Sequence, residues 1–241
     1  MGSGPVPGCG GQLTLTHPSP NFGPRRDGAL PDLVVIHYTA MTCADAACRV
    51  LCDPAREVSA HYLIDEDGTV RTLVDERMRA WHAGVGQWGD VTDINSRSIG
   101  IELSNTGAVP FDARQMQALL GVLGGIQQRW AIKPARFIGH SDMAPGRKID
   151  PGPWFDWESL AKQGFGVWPA AFDSVAAPVP FPAFRQMAER FGYRCDDDDL
   201  LLAVFRLRFR PRVQGPVDTR DLAMITDLAT RFGVDAPLAT S

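Results

Sequence analysis

Phe137-Ile138-Gly139-His140-Ser141-Asp142-Met143-Ala144-Pro145-Gly146-Arg147-Lys148-Ile149-Asp150-Pro151-Gly152-Pro153-Trp154 is the stretch around which the chain is organised. A short apolar segment, Arg136 to Gly139, reads as a strand and runs into a loop rich in Gly and Pro. His140 stands where that strand ends. Asp150 follows a loop stiffened by Pro145 and Pro151, with Lys148 between them. Proline reduces the entropy lost on ordering, so such a loop can hold side chains in fixed positions. Imidazole and carboxylate are both zinc ligands, and a catalytic zinc takes three protein ligands and leaves a fourth position open. The plainer alternative is a His and an Asp in an ordinary surface loop; under the metal reading the third ligand must come from elsewhere.

Leu33-Val34-Val35-Ile36-His37-Tyr38-Thr39 is apolar on both faces, the mark of a central strand covered on both sides. It places His37 at its end, where open α/β sheets put their sites. Ser98-Ile99-Gly100-Ile101-Glu102-Leu103-Ser104 alternates, with Ile99, Ile101 and Leu103 on one face and Gly100 and Glu102 on the other. An acid in the middle of such a strand is costly to bury without a partner, which makes Glu102 a site candidate.

Between and around these strands the chain predicts further elements. Thr42 with Asp45 resembles a helix start, the helix running to about Cys52. Ala60 to Ile64 is a strand, turned by Asp67-Gly68 into a returning strand at Thr69 to Val74. His61 is expected to be a structural histidine in the sheet, and His17, in the Gly/Pro-rich N-terminal arm, to be solvated. Trp81-His82-Ala83-Gly84, in a Gly-rich loop, suits contact with sugar or peptide; a loop anchored by one buried Trp is the alternative. Asp112 opens a helix whose Met116, Leu119, Leu120, Leu123, Ile126 and Trp130 face the core. From Gly164 to Pro182 no period holds and the chain reads as a linker. Three helices follow, at Phe184 to Phe191, Leu200 to Phe209, and Thr219 to Arg231, the last capped by Asp218 with Asp221 placed for a capping box. The acidic run Asp196 to Asp199 reads as a solvated turn that favours the next helix N-terminus.

Composition narrows the partners. The net charge of −4 gives no reason to expect nucleic acid, and no apolar run approaches the length of a membrane span. Met1 to Gly11 does not read as a signal peptide, so the literal expectation is a cytoplasmic monomer, periplasmic if a leader has been removed. Five cysteines, an odd number, argue against a disulfide framework; Cys48 and Cys52 share a helix face and read as small buried thiols rather than metal ligands. Among 24 basic residues only Lys133, Lys148 and Lys162 are lysine. A lysine beside the candidate ligand loop matters because an ammonium can have its pKa lowered and pass a proton, whereas a guanidinium effectively cannot.

His37, His140 and Asp150 are therefore three candidate ligands for a Zn2+ ion, with Glu102 suited to moving a proton and Lys148 to stabilising a developing oxyanion. The reaction class they suggest is metal-assisted amide hydrolysis. Five segments in order carry a resemblance: Val35-Ile36-His37-Tyr38-Thr39, Ser59-Ala60-His61-Tyr62, Trp81-His82-Ala83-Gly84, Ser98-Ile99-Gly100-Ile101-Glu102, and Gly139-His140-Ser141-Asp142 with Lys148-Ile149-Asp150-Pro151-Gly152. Together they resemble the zinc N-acetylmuramoyl-L-alanine amidases of the AmpD/AmiD type over roughly residues 20–160. The resemblance implies an α/β fold with a mixed central sheet flanked by helices. It implies cleavage of the bond between the lactyl group of N-acetylmuramic acid and L-alanine in peptidoglycan or muropeptides. It places the zinc ligands on His37, His140 and Asp150 and the catalytic groups on Glu102 and Lys148. Trp81, His82, Ala83 and Asn95 are the expected substrate contacts. The C-terminal segment resembles a three-helix peptidoglycan-binding module. The expected division is a catalytic domain at 1–165 with an extended arm at 1–30, a linker at 166–182, and the helical module at 183–241. A non-catalytic peptidoglycan receptor and a phage-type endolysin of the same chemistry are the competing readings.

Overall fold

The structure, a computed structural model, describes residues 14–170 and 176–234; Cys9 lies outside them. Strands β1 (Thr14–Thr16), β3 (Leu33–Tyr38), β4 (Tyr62–Ile64), β5 (Val70–Thr72), β7 (Ser98–Leu103) and β8 (Phe137–Gly139) form one sheet in the order β1-β5-β4-β7-β3-β8. β3 runs parallel to both β7 and β8, β7 parallel to β4, and only β4 and β5 pair antiparallel, so the sheet is mixed. Two short strands, β2 (Phe22–Pro24) and β6 (Met78–Ala80), pair beside it. The N-terminal arm contributes β1 to the sheet edge, parallel to β5.

β3 shows why both faces must be covered. Val34 and Ile36 join one apolar cluster with Ile99, Ile101 and Leu103 of β7, under helix α3 (Ala113–Trp130). Leu33 and Val35 join another cluster on the opposite face. That second cluster is built largely from α6 (Phe181–Phe191), α7 (Asp198–Phe209) and α8 (Thr219–Phe232): Phe184, Phe191, Phe205, Phe209, Ile225 and Leu228 are all buried there. The C-terminal helices thus share a core with the sheet. His37 continues the Leu33–Val35 face, so the side covered lower down by these helices carries the site at its upper end.

Several local expectations need correction. Helix α1 (Ala44–Leu51) is flanked by Cys43, with no side-chain cap, because Asp45 is drawn instead to Arg71 at 2.7 Å. β4 begins at Tyr62, two residues later than the pattern suggests. His17 is half-buried, and its Nδ1 lies out of solvent without a hydrogen-bond partner. Other expectations match. Asp112 caps α3, and Asp218 and Asp221 form the capping box of α8, whereas α7 begins at Asp198 rather than Leu200, with Asp197 as its cap and Asp198 and Asp199 in its first turn, and α6 begins at Phe181, inside the expected linker. His61 is buried in the sheet region, accepting from Gly100 N at Nδ1 and bonding Met78 O through Nε2. Among the described residues no helix is long and apolar enough to cross a membrane.

Candidate active site

In the β3–β7 register His37 stands opposite Glu102, and both lie on the face that also carries Val35 and Gly100. β8 delivers His140 from the other side, as the first residue of the short helix α4 (His140–Met143). Asp150 returns to the same point because the backbone N–H of Ser141 donates to Asp150 O, which closes the 141–150 loop. Two strand-end positions and one loop closure therefore bring His37, His140 and Asp150 together, all buried.

Their ligating atoms form a nearly equilateral triangle. His37 Nδ1 lies 2.9 Å from His140 Nδ1 and 2.9 Å from Asp150 Oδ2, and His140 Nδ1 lies 3.0 Å from the same oxygen. The far nitrogens are engaged elsewhere. His140 Nε2 is 2.9 Å from the carbonyl of Ala83, which can only accept, so this nitrogen donates there while Nδ1 faces His37 and Asp150. His37 Nε2 is 3.0 Å from His82 Nδ1. Burial, then the proximity of His140, pushes His37 down to about 4, despite the opposing effect of Asp150, so the ring is neutral at neutral pH. Burial pushes the Asp150 carboxyl upward, but its contacts with His140 and His37 outweigh this and hold it below the usual carboxylate range. The result is two imidazole Nδ1 atoms and a carboxylate oxygen facing one another. Ligands of a tetrahedral zinc at about 2.0–2.2 Å stand about 3.3 Å apart, within a few tenths of an ångström of this triangle. The donor set suits zinc, and the residues present fit such an ion.

The triangle opens on a cleft of about 540 Å³ lined by Tyr38, Trp81, His82, Glu102, Arg147, Lys148 and Ile149, with Met41, Ala47, Val50 and Leu51 on the facing wall. Glu102 Oε2 is buried without a hydrogen-bond partner. Burial, reinforced by Asp150 and only partly relieved by Lys148, raises this carboxyl to about 8. A bound divalent cation would oppose that rise. Lys148 is exposed at the lip, close enough for its charge to act on both Glu102 and His37. Of the four expected substrate contacts, Trp81 and His82 line the cleft. Ala83 and Asn95 do not: both are buried behind it, Asn95 Oδ1 accepting from the backbone N–H of His82 at 3.1 Å and of Ala83 at 2.9 Å.

Comparison with known proteins follows this geometry. Residues 27–153 match the family model described as N-acetylmuramoyl-L-alanine amidase. The chain is 35% identical over 234 residues to the N-acetylmuramoyl-L-alanine amidase AmiD of Escherichia coli K12, covering 84% of each chain. This chain belongs to the N-acetylmuramoyl-L-alanine amidase family. It is also 36% identical over 157 residues to the E. coli 1,6-anhydro-N-acetylmuramyl-L-alanine amidase AmpD, across 58% of this chain and 86% of that one. Among solved structures it is similar to E. coli AmiD in complex with anhydro-N-acetylmuramic acid-L-Ala-D-gamma-Glu-L-Lys, with a TM-score of 0.79 at 34% identity over 88% of this chain and 92% of that chain. AmpDh3 of Pseudomonas aeruginosa in complex with anhydromuramic pentapeptide gives a TM-score of 0.76 at 29% identity over 89% and 95%.

For an amidase-family site, the residues that sequence reasoning passed over are those serving the ligands rather than the cleft. Arg147 bridges the carbonyls of Ala83 (2.6 Å) and Val85 and so ties the ligand loop to the Trp81–Gly84 loop. Ser98 bonds His82 Nε2 at 3.1 Å. A Cβ on Gly100 would come within 2.4 Å of the His82 ring, so glycine is what lets that ring lie against the strand. A signal for this existed: Ser98 and Gly100 are small residues on the same strand face as Glu102, which implies that something else approaches there.

Proposed function

We propose that the chain hydrolyses the amide bond between the lactyl group of N-acetylmuramic acid and L-alanine in peptidoglycan or its fragments, using a zinc ion held by His37, His140 and Asp150. The observation that carries this reading is the triangle of two histidine nitrogens and a carboxylate oxygen, 2.9–3.0 Å apart, in the cleft beside an unpartnered glutamate oxygen. Zinc bound there supplies Lewis acidity and makes water a usable nucleophile near neutral pH. Glu102 Oε2 has no competing partner, so it is free to take the proton from attacking water and hand it to the departing alanine nitrogen. Lys148 Nζ, at the cleft lip, favours negative charge growing on the substrate carbonyl oxygen. Trp81 offers a flat apolar surface for the sugar or the lactyl group, and the Met41–Leu51 wall excludes water from the peptide side. The two similar solved structures hold anhydromuramyl peptides, which supports fragments of that kind as substrates here.

Mass spectrometry of muropeptides before and after incubation, with and without chelator, tests the reading. The expected result is release of stem peptides with L-alanine at the new N-terminus, lost with chelator and restored by zinc. A zinc-loaded chain that binds muropeptides and releases no peptide would overturn catalysis in favour of a receptor.

A further inference from the structure

Both imidazoles of the triangle have two ring nitrogens, and only one tautomer of each presents Nδ1 bare. The structure shows what selects it. Ser98 Oγ is 2.6 Å from the carbonyl of Ile94, which can only accept, so the hydroxyl donates there. The same Oγ, 3.1 Å from His82 Nε2, must then accept, so His82 carries its proton on Nε2 and has a bare Nδ1. His82 Nδ1 accepts from His37 Nε2–H at 3.0 Å, which leaves His37 Nδ1 bare toward His140 and Asp150. The adjacent residue does the same for the other ligand: the carbonyl of Ala83 takes the Nε2 proton of His140. Arg147 Nη2 passes 3.4 Å from that nitrogen, but its two N–H groups are taken by the carbonyls of Ala83 and Val85, so it does not alter the assignment.

We infer that His82 and Ala83, pinned through their backbone N–H groups by Asn95 Oδ1, are positioning residues that set the tautomers of both histidine ligands. One dipeptide, one asparagine and one serine thus orient the metal site from behind, and the Asn95 amide is turned away from the substrate cleft. The glycine at position 100 belongs to the same device, since any side chain there would displace the His82 ring. This inference rests on the proposed metal site, and its test is chosen to separate the two.

Nitrogen-15 NMR of the imidazoles in the full-length, metal-free protein reads the tautomers directly. The expected result is His37 and His140 protonated on Nε2, His82 protonated on Nε2, and a redistribution of the His82 proton in Ser98→Ala. Zinc affinity by chelator competition is the second readout. His82→Ala and Asn95→Ala should weaken zinc about 10- to 100-fold, the usual effect of losing an outer partner of a metal-bound histidine. His82→Asn, whose Oδ1 can replace Nδ1 as acceptor, should recover most of the loss; a purely packing role predicts no such rescue. Nδ1-protonated His37 in the metal-free chain, or unchanged zinc affinity in both alanine variants, would overturn the inference. Failure of the native chain to bind zinc would instead remove the metal reading, while the NMR tautomers would still decide whether His82 and Ala83 orient these rings. Ser98→Ala deletes a single hydroxyl and keeps the experiment decisive should Asn95→Ala fail to fold.

Discussion

Two buried polar clusters flank the same turn of chain at 139–143, and they are built on opposite principles. The first is His37, His140 and Asp150, with Glu102 beside them. It turns two imidazole nitrogens and a carboxylate oxygen toward one another, and Glu102 Oε2 has no hydrogen-bond partner. The second is Asp142, Arg208 and Tyr193. Asp142 Oδ2 accepts from Gly139 N at 2.8 Å and from Arg208 Nη1 at 2.6 Å, and Asp142 Oδ1 accepts from the Tyr193 hydroxyl at 2.8 Å. Arg208 also donates to the carbonyl of Phe137, and its guanidinium lies 4.0 Å over the ring of Trp157. Burial of unpaired acceptors is tolerated only where a cation or a proton completes them. The first cluster therefore needs a cation or protons to complete it, whereas the second pairs its carboxylate within the chain and leaves Arg208 Nε without a partner. The second cluster connects the C-terminal helices to β8 and to the turn that carries His140. Leu200, at the start of α7, lies beside Gly146 in the ligand loop itself; a Cβ on that glycine would come within 2.8 Å of Leu200. The helical segment is thus joined to the site by a buried ion pair as well as by a shared core.

The largest effect expected from this contrast is that of cutting the chain at 165. The sequence alone suggests that residues 1–165 would act by themselves. The structure places Leu33, Val35 and Ile138 in one buried apolar cluster with Phe184, Phe191, Phe205 and Phe209. Each such side chain contributes about 1.5–3 kcal/mol of burial, and together they rival the whole stability of about 5–15 kcal/mol typical of a domain. The truncated chain should be insoluble or molten by near-ultraviolet circular dichroism. A truncated chain that melts cooperatively and turns over muropeptides would break the contrast.

His140→Ala comes next. It should remove zinc and reduce stem-peptide release to background, while the thermal midpoint of the metal-free protein stays close to that of the native metal-free chain. Full zinc content by elemental analysis would exclude His140 as a ligand.

Arg208→Met should cost about 3–5 kcal/mol in a denaturant titration, because it leaves the Asp142 carboxylate buried with its charge uncompensated. Adding Asp142→Leu to it should return part of that loss, since two apolar groups need no pairing. A single variant as stable as the native chain would show that the second cluster is not closed.

Lys148→Met should leave zinc content and stability unchanged and lower turnover about 100- to 1,000-fold with little change in KM, as for a group acting mainly in the transition state. Turnover within a few-fold of native would exclude the lysine from catalysis. The smallest effect belongs to Tyr193→Phe, which takes one hydrogen bond from Asp142 Oδ1 and should cost about 1–3 kcal/mol with zinc affinity unchanged. A large loss of zinc instead would mean that the two clusters are coupled.

The elements differ in how legible they were. β3, β7 and α3 declare themselves because their apolar spacing repeats with the period of the backbone, and that period is local. The strand-end positions of His37 and His140 follow from the same pattern, as does Glu102 on the polar face of β7. α1 was misread at its start because Asp45 finds Arg71, a partner on β5, in place of the local cap. Arg25 carried no signal at all, yet it is buried and donates to the carbonyls of Glu76, Asn95, Ser96 and Ser98, holding the loop behind the site. Burial and four distant carbonyls are not properties of a residue or its neighbours in sequence.

By itself, then, the sequence determined which residue types stand at which strand ends, and so the class of chemistry and the mixed α/β sheet. Spacing along a strand and stiffness of a proline-flanked loop are set by covalent geometry, and they are readable wherever they occur. Only the tertiary structure decided that the C-terminal helices share a core with the sheet's second face, and that His82 and the Ala83 carbonyl meet His37 and His140 from behind. Only it showed that Asp142, two residues from His140, faces away from the site toward Arg208. Those outcomes depend on donors and acceptors 10 to 100 residues apart meeting at about 3 Å, and no local pattern encodes which distant partner completes a buried polar group.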